Sequence, residues 1–217
     1  MTTQIDDRRW FIIPATNHLQ MPQGFLAVFT EPGELVPLEE YQDWYNNEHI
    51  PLRVDHIEAF LAAARYKATD GITPKWLAVY DVADVEDFNK PNYASLRTNR
   101  SAREGELVKN MEMLDRRTYQ LVGDRNQEMT SSYHPKNPTQ RLVTQEFDSN
   151  SDADALKWLD AVSSKLGEGH TRTRIYDCIN NAKSGTKSSA DDQIIPKYLA
   201  IHGTPLFFVL LLTFYFI

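Results

Sequence analysis

A seven-residue pattern occurs twice in this chain, and its two settings restrict the fold more than any other feature. Pro74-Lys-Trp-Leu-Ala-Val-Tyr80 matches Pro196-Lys-Tyr-Leu-Ala-Ile-His202, with four of the seven positions identical and the other three alike in size or ring character. Each copy follows a strand-like run and a polar loop. Self-similarity of this kind, in a shared β-α-β-β order, points to a duplicated supersecondary unit.

The first copy is the fuller one. Residues 24–30 form a short apolar run expected as a buried strand. Turn residues follow at 31–34, and Pro37 suits the first turn of a helix because its missing N–H costs nothing there. Leu38, Tyr41, Tyr45 and His49 then recur along one helical face, with Trp44 and Glu48 beside them, and Pro51 is expected to end the helix. Strands are expected over 60–68 and 75–82; in the latter Trp76, Ala78 and Tyr80 face one side and Leu77 and Val79 the other. Asp84 can cap a short turn at 85–88, a longer helix is expected over 93–113, and a fourth strand over 116–122. The order is βαββαβ, the ferredoxin-like split unit.

The pattern restarts after a polar stretch. Strands are expected over 140–147, 172–179 and 195–201, and a helix over 152–166. The expected organisation is therefore a leader over 1–22, in which 10–13 can add an edge strand, a ferredoxin-like unit over 23–122 and a linker over 123–138. A second, truncated unit over 139–203 and an apolar tail over 204–217 complete it. The fold class is α+β, with two ferredoxin-like units, the second incomplete.

Composition narrows the function classes. The formal charge is −7 and the Lys and Arg residues are scattered, which argues against a nucleic-acid surface. Cys178 is the only cysteine, so no intrachain disulfide forms, and a reducing compartment fits. The N-terminal residues lack the apolar core of a secretory signal, so a cytoplasmic location is expected. The tail is unusual: over 206–217 only Thr213 is not strongly apolar or aromatic. This run of twelve residues falls short of the roughly 20 that span a bilayer. Three readings stand open: a membrane tail anchor, a buried strand that completes a sheet, and an artefactual terminus.

The stretch Trp44-Tyr-Asn-Asn-Glu-His-Ile-Pro51, with the strands Phe60-Leu-Ala-Ala-Ala-Arg-Tyr66 and Trp76-Leu-Ala-Val-Tyr-Asp81, resembles the dimeric α+β barrel proteins, and among them the EthD-like group common in fungi and bacteria. Pro91-Asn-Tyr-Ala-Ser-Leu-Arg97 and Arg116-Arg-Thr-Tyr119 add to the resemblance. It covers residues 22–122 well and 139–203 only by pattern. Such proteins look like two ferredoxin-like units whose sheets face each other and close a barrel, usually from two chains. The resemblance implies that this chain carries both units as a pseudo-dimer, or pairs as a homodimer. Relatives include cofactor-independent cyclases, dehydratases, decarboxylases and isomerases, together with monooxygenases and haem-linked proteins. Two departures stand out. Ala59 replaces the usual glycine before the second-strand phenylalanine, and the second unit lacks the Glu-His-Ile-Pro motif, so at most one such site per chain is expected.

His49 is the leading candidate for chemistry, because an imidazole exchanges protons near neutral pH. Its alternative is a helix-end histidine bonded to the last free carbonyls. Glu48 can orient His49 or sit in solvent, and Tyr45 can donate to a substrate carbonyl or be core. Tyr41, Trp44, Trp76 and Tyr80 are candidate substrate contacts, with Trp76 and Tyr80 expected to line the barrel, or plain core aromatics. There is no His-x-x-x-His pair, phosphate loop or nucleophile signature. No cofactor is expected, with haem left open, and the expected partner is a small apolar or aromatic metabolite, with membrane contact through the tail a further possibility. The leading expectation is a cofactor-independent lyase or isomerase on an aromatic or polyketide-like molecule. A non-catalytic binding barrel and an EthD-like oxygenase-associated protein are the alternatives.

Overall fold

The computed structural model describes residues 23–125, 141–165, 172–188 and 194–204. The leader with its expected edge strand, most of the linker, and the tail from 205 onward lie outside these residues. Seven strands form one antiparallel sheet in the order β2-β3-β1-β4-β6-β7-β5. They are β1 (Gly24–Glu31), β2 (Phe60–Lys67), β3 (Trp76–Val82), β4 (Met113–Arg125), β5 (Arg141–Phe147), β6 (Arg172–Ser184) and β7 (Tyr198–Thr204). The helices are α1 (Leu38–Trp44), α2 (Pro51–Val54), α3 (Pro91–Thr98), α4 (Ala102–Asn110) and α5 (Asp152–Ser163). The order β2-β3-β1-β4, with its helices on one face, is the expected ferredoxin-like unit, and the whole is an α+β half-barrel.

β1 is an interior strand covered on both sides, which is why its sequence is a continuous apolar run. Leu26 and Val28 face the helices, while Phe25 and Ala27 face the opposite side. That opposite side is concave. Asp81 on β3 and Arg174 on β6 are three strand steps apart, about 14 Å on a flat sheet. Yet the Arg174 Nη1 donates to Asp81 Oδ1 at 2.7 Å. Arg117 on β4 likewise reaches Glu146 on β5, again three steps away. Only a curled sheet brings these groups together. Phe25 and Tyr176 stack at 4.3 Å within the curve. Asp124 lies beside both Arg172 (Nε at 2.8 Å) and Arg174 (Nε at 3.4 Å), so these buried charges are mutually compensated.

α5 covers the second half of the sheet through Ala155 and Leu159, which pack on Ile175, Tyr198 and Ala200. This close seating needs Gly123: a Cβ there would stand 2.5 Å from Leu156 Cδ2 and 2.9 Å from Leu159 Cδ2.

Several boundaries differ from expectation. β4 continues past 122 to Arg125, and β6 continues past 179 to Ser184, because the two pair with each other along their length. The expected linker therefore begins as strand. The helix expected over 93–113 is two helices, α3 and α4. Ser101 opens the second as its cap, its hydroxyl accepting from the Glu104 N–H at 2.9 Å. Pro51 does not end its helical segment but opens one more turn, α2. Among the described residues no helix is long and apolar enough to cross a membrane.

Candidate functional site

The helix that carries the aromatic-acid-histidine stretch widens over Tyr45–His49 into a π-helical turn, in which Ile50 N–H donates to Tyr45 O at 3.1 Å. Pro51 accounts for the local sequence preference: it has no N–H, and its ring cannot pass the carbonyl four residues back in a regular α-helix. Single π turns of this type occur often at functional sites. The widened turn drives Tyr45 and His49 inward together, at 5.0 Å between ring centroids. Trp44 completes the group, 4.4 Å from His49 and 4.6 Å from Tyr45.

Beneath the turn lies the helix-facing side of β2 and β3. Tyr80 contributes a fully buried phenol, and Trp76 lies 5.8 Å from Tyr41. Trp76 and Tyr80 thus face the helices, whereas Leu77, Val79 and Asp81 of the same strand face the concave side. The expectation that Trp76 and Tyr80 line the barrel is corrected accordingly. β3 alternates as its sequence dictates, but the face that carries its large aromatics is the helix-covered one. His49, Tyr45, Tyr41, Trp44, Trp76 and Tyr80 meet in one cluster between helices and sheet.

Glu48 is the exception. Neighbouring helical residues point about 100° apart, so Glu48 turns outward as His49 turns in. Its carboxylate accepts from the Ser101 hydroxyl at 2.5 Å and lies 3.8 Å from Arg103. The acid that reaches His49 is Glu104 on α4, with Oε1 3.4 Å from Nδ1. Both side chains are buried. Sequence reasoning missed Glu104, although Ser101-x-x-Glu104 is a helix-start signature that marks the residue.

Two arginines also enter the site unforeseen. Arg53 is buried and its Nη1 donates to the His49 carbonyl at 2.8 Å. Arg65, on β2, lies over the Tyr45 ring at 4.9 Å and bonds to Gln42 and Asn46, pinning the π turn to the sheet. Burial, assisted by the charge of Arg53, lowers the His49 pKa to about 4, against the opposing pull of Glu104, so the ring is neutral at neutral pH. Burial pushes the Glu104 carboxyl upward, but His49, Arg53 and Arg100 outweigh it and hold it below its usual range. Burial raises Tyr45 and Tyr80, which therefore remain protonated donors. Trp44 Nε1, Tyr45 Oη, Tyr80 Oη, Arg53 Nε and Arg65 Nη1 are all buried and make no hydrogen bond, and His49 Nδ1 has only its contact with Glu104. Native structures keep few such groups, and a cluster of them calls for an explanation.

α3 covers the cluster least tightly. None of its residues is fully buried, and Tyr93 and Leu96 pack against the site only half-buried. Among the described residues no group of three His, Cys, Asp or Glu stands where it would hold a metal ion.

No family model matches this chain. Core atranone cluster (CAC) protein 1 of Stachybotrys chlorohalonatus (strain IBT 40285) is 28% identical to it over 198 residues, covering 82% of this chain and 80% of that protein. Among solved structures, an anthrone oxidase-like protein aligns with a TM-score of 0.53 at 10% identity, over 83% of this chain and 71% of the other. The fold is of the α+β barrel type. At that identity the likeness speaks for architecture.

Proposed function

We propose that this chain is a small-molecule tailoring protein of secondary metabolism that acts, without a cofactor, on an aromatic or polyketide-like metabolite held between the π turn and β3. The observation that carries the reading is the convergence of two buried phenols without a hydrogen-bond partner and an imidazole backed by Glu104 on one aromatic cluster. The similarity to a protein named for a metabolite cluster, and to an anthrone oxidase-like fold, supports the substrate class.

The chemistry is proton transfer of the lyase or isomerase type. The neutral His49 ring takes a proton from an enolisable carbon, and Glu104 orients the ring and stabilises the imidazolium that results, as an acid behind a histidine does elsewhere. The hydroxyls of Tyr45 and Tyr80 donate to the oxygen on which charge develops, and in a water-poor site such donors are effective. Oxidation of the same enolate by dioxygen is the second reading, favoured by the name of the structural neighbour. We infer further that the two units arose by duplication, since β3 and β7 begin on the matched residues Trp76 and Tyr198 and each lies between two antiparallel partners.

The test follows deuterium exchange at the methylene of anthrone in D2O without oxygen, and oxygen uptake in air. Exchange accelerated by the protein and lost in His49→Gln supports proton transfer, and accompanying oxygen uptake selects the oxidase reading. Anthrone bound with no accelerated exchange makes the protein a binding module and overturns the catalytic reading.

A further inference from the structure

The unpartnered groups of the helix-side cluster share one property. Arg53 Nε, Arg65 Nη1 and Trp44 Nε1 can only donate hydrogen bonds, and the phenols of Tyr45 and Tyr80 each have a proton to give. The site is rich in donors and poor in acceptors.

Its charge is equally one-sided. Arg53 bonds to a backbone carbonyl, and Arg65 bonds to the side-chain amides of Gln42 and Asn46; neither meets a carboxylate. Glu104, the acid inside the cluster, is already divided between His49 at 3.4 Å and Arg100 at 3.6 Å. The acids of the overlying helical segment look outward: Glu40, Asp43 and Glu48 all gather on Arg103. Arg53 feels Glu104 only at longer range and Arg65 has neutral partners, and a guanidinium drawn toward an interior without a paired carboxylate is costly. Both arginines adjoin the same place: Arg65 lies over the Tyr45 ring at 4.9 Å, and Arg53 bonds to the carbonyl of His49, whose ring stands 5.0 Å from that of Tyr45. Trp44, Tyr41, Tyr45 and Trp76 set flat ring faces around that place.

We propose that the ligand bound here is an anion: a planar aromatic acid whose carboxylate, or equally acidic enol, is received by Arg53 Nε and Arg65 Nη1. The inference rests on the reading of this cluster as a ligand site and adds the ionic state and acidic group of what it takes. A planar acid offers both the acceptors and the charge that the cluster lacks, and a guanidinium receives an oxyanion more strongly than a neutral carbonyl.

The experiment uses the full chain and a matched pair of probes, 1-hydroxy-2-naphthoate and its neutral amide, with affinities measured by calorimetry at neutral pH. The acid is expected to bind at least about tenfold more tightly than the amide, the ratio expected of a charge-assisted over a neutral hydrogen bond. In Arg53→Gln and Arg65→Gln that preference falls below about threefold, and Arg53→Lys and Arg65→Lys, which keep the charge, restore part of it. Circular dichroism of each variant establishes that it is folded, and where a Gln variant is not, the Lys variant and the wild-type acid-to-amide ratio decide. Equal affinity for acid and amide overturns the anion proposal and leaves the aromatic site standing. Binding of neither probe overturns both.

Discussion

His49 takes its acid partner from another helix: its Nδ1 lies 3.4 Å from Glu104 Oε1, while the adjacent Glu48 faces Ser101 and Arg103 at the surface. The two carboxylates therefore serve different ends, and substitution separates them. In Glu104→Gln, turnover of a substrate is expected to fall by about 100-fold with little change in KM, because the ring loses the charge that steadies its protonated form. In Glu48→Gln turnover stays within about threefold of wild type. Steady-state kinetics on both variants makes the comparison.

The buried ring also sets a pH dependence of stability. Folding lowers the His49 pKa from 6.5 to about 4, so the unfolded chain binds a proton more readily. Stability is full above the higher value and declines as pH falls from 6.5 toward 4. The loss is on the order of 3 kcal/mol when the ring is protonated in both states. Glu104, lowered on folding, adds a loss of the same sign at more acid pH. Urea midpoints measured at several pH values are expected to show the decline in wild type, and His49→Asn is expected to abolish its upper part.

Across the concave face, Asp81→Asn leaves Arg174 with a weakened partner in a buried setting. A loss of about 3 kcal/mol is expected, since removal of one member of a buried pair exposes the cost of burying the other. The double variant Asp81→Leu/Arg174→Met is expected to recover much of it. Urea unfolding of the three proteins tests this, and a double variant less stable than Asp81→Asn overturns it.

Gly185 lies just beyond β6 with a φ of 137°, and a Cβ there would collide with the Glu112 carbonyl group. The same segment holds Thr186 N–H to Met111 O at 2.9 Å. Gly185→Ala is expected to cost about 2 kcal/mol through backbone strain, read as a lowered thermal midpoint.

The architecture was legible because its signals are local. The central run of β1, the alternation of β3 and the repeat at Pro196 each state an element and its direction. The aromatic members of the site were legible for the same reason, as helical spacing places Tyr41, Tyr45 and His49 on one face. What escaped depends on contacts between distant segments. The side of the sheet that Tyr80 faces is fixed by where α1 and α4 pack, which periodicity does not encode. Glu104 was hidden within a helix expected to be continuous, and the break at Ser101 is what aims it at His49. Arg65 passed without a role in the sequence, because its clamp on Gln42 and Asn46 exists only where α1 and the π turn meet β2. The length of β4 and β6 follows from their mutual pairing, so neither sequence alone announces it.

That pairing has a further consequence. β4 and β6 form a ladder from Leu114–Ser184 to Arg125–Thr173, inside a single polypeptide. The junction is closed by tethered segments, so it persists at any dilution. The half of the sheet under α5 packs on its own residues, Ala155, Leu159 and Tyr198, so its helix side can change without disturbing the rings gathered around His49.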